Sequence, residues 1–235
     1  LYTRRDGYVI CATTYIKQER AFLARPLEEQ FFLILDAFKA QEGVHATTYA
    51  HAATIRDVFG IWDAHTYLES FASFRTKALS CMPEDRHLAK APEEAQEFLT
   101  EHEETIEQYC GFLTHEDFAL QNLRVTDKDL YLIDHSSLRF GNKYESWARF
   151  LNFMILYNRP LERALAQYVR DNRSEGENLS LRLMRIYKIG ELLHYHACAY
   201  AHSDGKLQML SKKRVEFWTN VLESLLDDSL VSEKV

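Results

Sequence analysis

The residue types best suited to chemistry lie close together just past the middle of the chain. The stretch HEDFALQN, from His115 to Asn122, holds a histidine, two carboxylates and two amides. Asp134 follows twelve residues after Asn122, at the end of an apolar run that begins at Leu130. Carboxylate and amide oxygens are hard ligands that suit Mg²⁺, and a carboxylate can also accept a proton from a hydroxyl group. These residue types would therefore suit a site that combines a metal with a proton acceptor.

Two other interpretations of the same stretch have to be weighed. The residues would also fit two strand-ending turns in which Asp and Asn bind local backbone groups. A zinc-protease helix is excluded, because HEDFA has Ala119 where the H-E-x-x-H pattern requires its second histidine. The turn interpretation stays open at the level of the residues alone.

The elements around this stretch change their period twice. GYVICATTYI, from Gly7 to Ile16, is typical of a strand, paired with LYTRR across Asp6 and Gly7. Helical spacing then predicts a helix from Pro26 that ends at Gly43, one or two helices between Thr47 and Lys77, and another from about Pro92 to Tyr109. Residues 111–137 carry short apolar runs separated by tight loops, which indicates a small β insert.

Helical patterns resume after the insert. They cover YESWARFLNFMILYN, PLERALAQYVRDN, LRLMRIYKIGELLHYHACAYAH and SKKRVEFWTNVLESLLDD. The predicted fold class is therefore α+β, with a strand-bearing start at residues 1–20 and a mostly helical body at 21–235 that contains the insert.

Composition limits the classes of function. The chain of 235 residues has a net charge of -7, which argues against a general nucleic-acid binder, because such proteins cluster Lys and Arg against phosphates. No apolar run reaches the roughly 18 to 20 residues of a membrane helix. The four cysteines form no C-x-x-C pair, and no secretory signal precedes them, so we expect reduced thiols in a cytoplasmic protein.

A family resemblance rests on about forty residues. LTHEDFALQNLRVTDKDLYLIDHSSLRFGNKYESWARFL resembles the core of aminoglycoside phosphotransferase and choline kinase type small-molecule kinases, which have a protein-kinase-like fold. That core reads approximately H-G-D-x-H-x-x-N-I-L-V, then I-D-W or I-D-F, then G-x-x-x-x-D-L-A. His115, Asp117 and Asn122 reproduce H-x-D-x-x-x-x-N, the spacing of the catalytic loop in protein-kinase-like phosphotransferases.

The resemblance implies a role for each matched residue. Asp117 would accept the proton of the substrate hydroxyl, Asn122 and Asp134 would hold magnesium, and His115 would shape the loop. The nucleotide would be ATP or GTP, and its adenine or guanine would meet the hinge at Ala12, Thr13, Thr14 and Tyr15. The acceptor would be a hydroxyl group of a small molecule, and the helices would form the large C-terminal lobe.

The chain also departs from the family. Glu116 replaces a glycine, Ala119 a histidine, His135 an aromatic residue and Ser146 an aspartate. No phosphate-binding glycine loop is present and no lysine precedes Lys17, so we expect the phosphate-binding part of the N-terminal lobe to lie upstream of Leu1. The departures favour one alternative: a catalytically weak pseudokinase or regulatory module with the same fold, which works by contacting another protein.

Two further groups of polar residues are weaker candidates. His194, Cys198 and His202 recur every four residues and would share a helix face that could bind zinc, although a buried or pocket-lining face explains them better. Asp171, Glu175 and Glu177 predict an acidic loop that could hold a cationic substrate, although a solvated loop is the simpler explanation.

Overall fold

The protein is described by a computed structural model that covers residues 2–5, 8–11, 14–18, 20–48, 51–126 and 129–229. For residues 2–5, 8–11 and 52 only the backbone is described. The described chain is mixed α+β and mostly helical, as the sequence predicts, and within it no helix is long and apolar enough to cross a membrane. Its sheet structure consists of three antiparallel strand pairs.

The first pair confirms the predicted hairpin. β1 (Tyr2–Arg5) and β2 (Tyr8–Cys11) pair in antiparallel register, with Tyr2 opposite Cys11 and Arg5 opposite Tyr8. The predicted strand was too long, because residues 14–16 have no regular structure. Ala12 and Thr13, half of the predicted hinge, lie outside the described residues.

Among the described residues, five α-helices precede the insert. They are α1 (Leu27–Thr48), α2 (Ala52–Arg56), α3 (Ala64–Cys81), α4 (Arg86–Glu101) and α5 (Glu103–Gln108). Two predicted boundaries were wrong, and the single helix predicted from Pro92 to Tyr109 is divided at His102 into α4 and α5. Gly43 lies inside α1 rather than at its end, and α4 begins before Pro92 because the carboxylate of Asp85 caps the backbone N–H groups of His87 and Leu88.

Among the described residues, four α-helices follow the insert, and each overlaps a segment that the sequence predicts. They are α6 (Glu145–Tyr157), α7 (Arg159–Asn172), α8 (Glu175–Ala201) and α9 (Gly205–Leu226). α8 packs against α3, α6 and α9 and so forms the centre of the body. The approach of α3 to α8 is close: a Cβ added to Gly190 would lie only 2.4 Å from Cε2 of Phe71.

The β insert extends to Gly141, past its predicted end at residue 137, and its described residues hold four strands where the sequence predicts three. β3 (Phe112–His115) pairs with β6 (Leu138–Gly141), and β4 (Leu123–Val125) pairs with β5 (Leu130–Leu132). β6 was missed because LRFG is short and follows a polar turn. The loop before α3 also binds β6: Phe140 donates its N–H to the carbonyl of Gly60 and accepts one from Trp62.

Aromatic packing fixes the insert to the helices. Phe118, one residue after Asp117, is fully buried, stacks on Phe38 of α1 at 4.8 Å between ring centroids, and meets Phe150 of α6 edge-on. Phe38 also stacks on Trp147 of α6, at 3.8 Å. Burial of several aromatic rings contributes a large hydrophobic free energy, so the loop that carries Asp117 is held against the body by its neighbour in sequence.

Candidate functional site

Asp117 lies in the turn between β3 and a short 3-10 turn at Leu120–Asn122. Its side chain is 31% exposed, so the carboxylate remains within reach of solvent. Asn122, at the end of the 3-10 turn, donates Nδ2 hydrogens to the backbone carbonyl of Asp117 at 2.9 Å and to its Oδ2 at 3.0 Å. The structure therefore brings the predicted proton acceptor and one predicted metal ligand into direct contact.

Asp134 is tied to the same loop through the backbone. The N–H of Ile133 donates to the carbonyl of Asn122 at 2.9 Å, so Asp134 follows immediately on the residue that pairs with Asn122. Asp134 has φ 65° and ψ 58°, the left-handed region that non-glycine residues rarely adopt. Its side chain is exposed and its Oδ1 accepts a hydrogen bond from the hydroxyl of Ser136.

These residues fit a magnesium ion by the chemistry of their donor atoms. Both hydrogen bonds that Asn122 makes through its side chain use Nδ2, and among the described residues none is donated to its Oδ1. That amide oxygen and the exposed carboxylate of Asp134 are the hard oxygen donors that Mg²⁺ selects. Among all the residues that the structure describes, no group of three or more His, Cys, Asp or Glu side chains could hold a metal ion.

His115 is fully buried at the end of β3. Its Nε2 lies 3.3 Å from the carbonyl of Ile133, an acceptor, so we place the proton on Nε2 and the ring links the two loop strands. Burial is the main cause that lowers the pKa of His115, which keeps the ring neutral. Its Nδ1 has no hydrogen-bond partner among the described residues. This placement suits a residue that shapes the loop.

Ser146 fastens the loop to α6. Its Oγ accepts the backbone N–H of His115 at 3.1 Å and lies 3.0 Å from the carbonyl of the same residue. The hydroxyl of Thr114 and Nε2 of Gln41 also bind this oxygen, at 2.7 and 2.8 Å. Ser146 is fully buried, so its hydroxyl satisfies backbone groups that water cannot reach.

Arg149 is the residue of the site that the sequence patterns did not reveal. It lies one turn after Glu145 on α6, and its Nε and Nη2 donate to Oδ1 of Asp117 at 3.2 and 2.9 Å. Nη1 of Arg149 also lies 3.7 Å from the carboxylate of Glu191 on α8. Both carboxylate oxygens of Asp117 are thus engaged, one by Arg149 and the other by Asn122.

Glu116 faces a buried group of charges rather than Asp117. Its carboxylate lies 3.1 Å from Nη1 of Arg139 on β6 and 3.9 Å from Nζ of Lys188 on α8. Glu145, which is fully buried, pairs with the same two cations, and the hydroxyl of Tyr67 donates to it at 2.6 Å. Glu116 therefore completes an ion-pair network with these buried charges.

The network is strongly coupled. Burial by itself raises the pKa of Glu145, but Lys188 and Arg139 outweigh it and lower the pKa to about 2. Burial by itself lowers the pKa of Lys188, and Glu145 and Glu191 reverse that effect and raise it. The charged forms of Glu145, Lys188 and Arg139 therefore stabilise one another, and the hydrogen bond from Tyr67 adds to the stabilisation of Glu145.

A signal for these residues was present in the sequence. Glu145 and Arg149 interrupt the apolar helix YESWARFLNFMILYN, and Lys188 and Glu191 interrupt LRLMRIYKIGELL. Charged side chains on otherwise apolar helices are rarely buried unless they are paired, so they indicate a buried ion-pair network. The sequence cannot say which partners they find, because Glu145 and Lys188 lie on different helices.

The remaining predicted residues lie apart from this cluster. Thr14 is exposed and Tyr15 is 85% exposed, so the described half of the predicted hinge is not buried against the loop. On α8, His194 stacks on Phe74 and Cys198 contacts Cys81. His202 follows the last residue of α8, and its Nδ1 lies 2.7 Å from the carbonyl of Cys198. The three side chains thus have separate neighbours.

The predicted acidic loop was wrong, because its residues belong to helix ends. Asp171 lies in the last turn of α7, and Glu175 and Glu177 form the first turn of α8. Glu177 completes a capping box with Ser174 and accepts a hydrogen bond from the hydroxyl of Tyr144 at 2.5 Å. The role of Glu177 is therefore to cap the first turn of α8.

A cavity lies away from the candidate site. It has a volume of about 520 Å³, lies between α7, α8 and the end of α9, and contains none of Asp117, Asn122 and Asp134. The geometry of the donor atoms, rather than the presence of an enclosed cavity, therefore defines the candidate site.

Comparison with known proteins adds no relative. No family model matches the chain, no curated protein matches it, and no solved structure matches it.

Proposed function

We propose that this chain is the helical lobe of a small-molecule kinase, which transfers the γ-phosphoryl group of ATP or GTP to a hydroxyl group. One observation carries the proposal: Asp117 and Asn122 are hydrogen-bonded through their side chains, and the N–H of Ile133, the residue before Asp134, donates to the carbonyl of Asn122. Phosphoryl transfer requires a carboxylate near the attacking hydroxyl and oxygen ligands for magnesium, and it requires little else from protein side chains.

Each residue takes one role in the proposed reaction. The carboxylate of Asp117 orients the substrate hydroxyl and accepts its proton. Asn122 and Asp134 hold magnesium, which neutralises charge on the nucleotide phosphates when it is bound. His115, Ser146 and Arg149 position the loop; they act through Asp117 and do not touch the reacting atoms.

The finer fold assignment rests on the same residues. We assign a protein-kinase-like fold, with the β insert as the catalytic segment and β1–β2 as strands that lead to the hinge. On this assignment the backbone at Ala12 to Tyr15 binds the base of the nucleotide. The antiparallel pairing of β1 and β2 and the helical body support the assignment.

Magnesium-dependent nucleotide binding tests the metal ligands. We expect Mg-ATP or Mg-GTP to raise the melting temperature of the natural protein by about 5 to 10 °C when the ligand is near 100 times its dissociation constant. Asp134→Asn keeps the size of the side chain and removes the charge, so it should abolish most of the shift. Asp129→Asn is the matched control, because Asp129 is an exposed carboxylate of the same insert. An undiminished shift in Asp134→Asn would exclude Asp134 as a ligand.

A second candidate function has one observation in its favour. Both carboxylate oxygens of Asp117 are already hydrogen-bonded, by Arg149 and Asn122, which suits a pseudokinase whose loop serves structure rather than proton transfer. Such a module would bind nucleotide or a partner protein without turnover. Nucleotide-induced stabilisation without any phosphorylated product, across aminoglycosides, amino alcohols and sugars, would favour it over the enzyme.

A further inference from the structure

Two thiols that the proposed function does not use lie in contact between α3 and α8. Cys81 is the last residue of α3, Cys198 lies in the last turn of α8, and their sulfur atoms are 2.8 Å apart. Both residues are partly exposed and neither is in a disulfide bond. We propose that Cys81 and Cys198 form a modification site, a reversible disulfide bond made by exchange with an oxidised small thiol such as glutathione disulfide.

The packing of the two helices holds the thiols together. Phe71 lies against Gly190, and the rings of Tyr67 and Tyr187 meet edge-on at 4.9 Å, so α3 and α8 contact each other along their length. A disulfide bond needs a sulfur separation of about 2.05 Å, and thiols that start at 2.8 Å can reach it with a small side-chain adjustment. The rigid helix pair favours this partner over any thiol that must first be brought near.

The reaction conserves atoms and electrons. One thiolate of the pair attacks a sulfur of glutathione disulfide, forms a mixed disulfide and releases one glutathione thiolate. The second thiolate then attacks the protein sulfur of the mixed disulfide and releases the second glutathione. The two protons lost by the cysteines end on the two glutathione molecules, so the protein is oxidised by two electrons and the glutathione disulfide is reduced.

The environment of Cys198 affects the rate of the exchange reaction but not which disulfide bond it forms. Burial, followed by the contact with Cys81, raises the pKa of Cys198 to about 11, although Lys77 opposes the effect. Little of Cys198 is therefore thiolate at neutral pH, and exchange should be slow unless the oxidant is abundant. The first attack needs a small oxidant, because both sulfur atoms are only partly exposed.

Mapping of the crosslink tests the proposal. The natural protein is incubated with millimolar glutathione disulfide at pH 8, free thiols are alkylated, and the digest is analysed by mass spectrometry. We expect one peptide pair joined through Cys81 and Cys198, which dithiothreitol separates. In Cys81→Ser and in Cys198→Ser the remaining thiol should carry glutathione instead. Cys110→Ser is the matched control: the thiol of Cys110 donates to the carbonyl of Ile106, and its removal should leave the crosslink intact.

The melting temperature provides a second test of the proposed disulfide bond. The bond would close a loop between residues 117 positions apart, so the oxidised protein should melt about 5 °C or more above the reduced protein. Glutathione bound to either cysteine of the natural protein without a crosslink would overturn the proposal. A crosslink that lowers the melting temperature would also overturn it, because it would show that the native packing does not accommodate the bond.

Discussion

Arg149 donates two hydrogen bonds to one carboxylate oxygen of Asp117, from Nε at 3.2 Å and from Nη2 at 2.9 Å. Both side chains are less than one third exposed, so the ion pair is only partly screened by water. The pair joins the loop that carries the proposed proton acceptor to α6, and thereby to the buried charges of Glu145 and Lys188.

This pair should be measurable as a coupling energy. In a double-mutant cycle with Arg149→Met and Asp117→Asn, we expect the unfolding free energies to be non-additive by about 1 kcal/mol. The coupling energy should stabilise the folded protein, because either single change leaves a partly buried charge without its partner. Urea unfolding of the four proteins gives the coupling, and additive effects would show that the pair does not hold the loop.

Ser146 offers a prediction about the loop's attachment. Ser146→Ala removes the acceptor for the buried N–H of His115, so we expect a loss of about 1 to 3 kcal/mol in unfolding free energy. Ser80→Ala is the matched control, because the Ser80 side chain is exposed on α3 and binds only the carbonyl of Lys77. Equal effects of the two substitutions would contradict the anchoring role.

Alanine substitutions at two glycines inside helices should change the stability of the protein in opposite directions. Gly190→Ala would bring a methyl group to 2.4 Å from the ring of Phe71, so we expect it to destabilise the protein by about 1 to 3 kcal/mol despite the better helix propensity of alanine. Gly43→Ala in α1 meets no atom within 4 Å and should stabilise the protein by about 0.5 to 1 kcal/mol. Melting temperatures suffice as the measurement, and stabilisation by Gly190→Ala would mean that α3 and α8 lie farther apart.

The buried network predicts a pH dependence. The ordinary pKa of Glu145 is near 4.5, and the folded protein lowers it to about 2. A depressed carboxylate pKa contributes stability that is fully present above about 4.5 and is lost as the pH falls toward about 2. The contribution is on the order of 3 kcal/mol, because the group is fully buried and each pKa unit corresponds to about 1.4 kcal/mol.

Glu145→Gln tests that assignment. The substitution should lower stability at pH 7 by about 3 to 5 kcal/mol, because Arg139 and Lys188 lose their buried counter-ion, and it should flatten the decline between pH 4.5 and 2. Glu69→Gln, which removes an exposed partner of His65, should change neither quantity much. An unflattened decline in Glu145→Gln would assign the acid sensitivity to other groups.

The sequence predicts the local elements better than it predicts the site's support. Apolar periodicity located α6 to α9, and spacing placed His115, Asp117, Asn122 and Asp134 on one loop system. The errors at Gly43 and Pro92 have a common cause. Glycine and proline are typical of helix boundaries, but neither residue ends a helix here. The start of α4 is set by the capping carboxylate of Asp85, and α1 continues through Gly43, which does not adopt a left-handed conformation.

The buried charges next to the loop show why the sequence does not predict the remaining contacts of the site. Glu145 and Lys188 are 43 positions apart, and Arg139 and Glu116 lie on separate segments of the insert, so no local spacing relates them. Their pairing depends on how α6, α8 and β6 pack. The same is true of Cys81 and Cys198, which the packing of α3 on α8 brings together.

The most direct test of the central claim is phosphoryl transfer by the natural protein and by Asp117→Asn. Labelled Mg-ATP or Mg-GTP is incubated with a panel of small-molecule alcohols, and the phosphorylated product is followed over time. Loss of the proton acceptor should lower the rate by at least about 100-fold, with Asp129→Asn unchanged as the control. A phosphorylated product formed at an equal rate by Asp117→Asn would contradict the account.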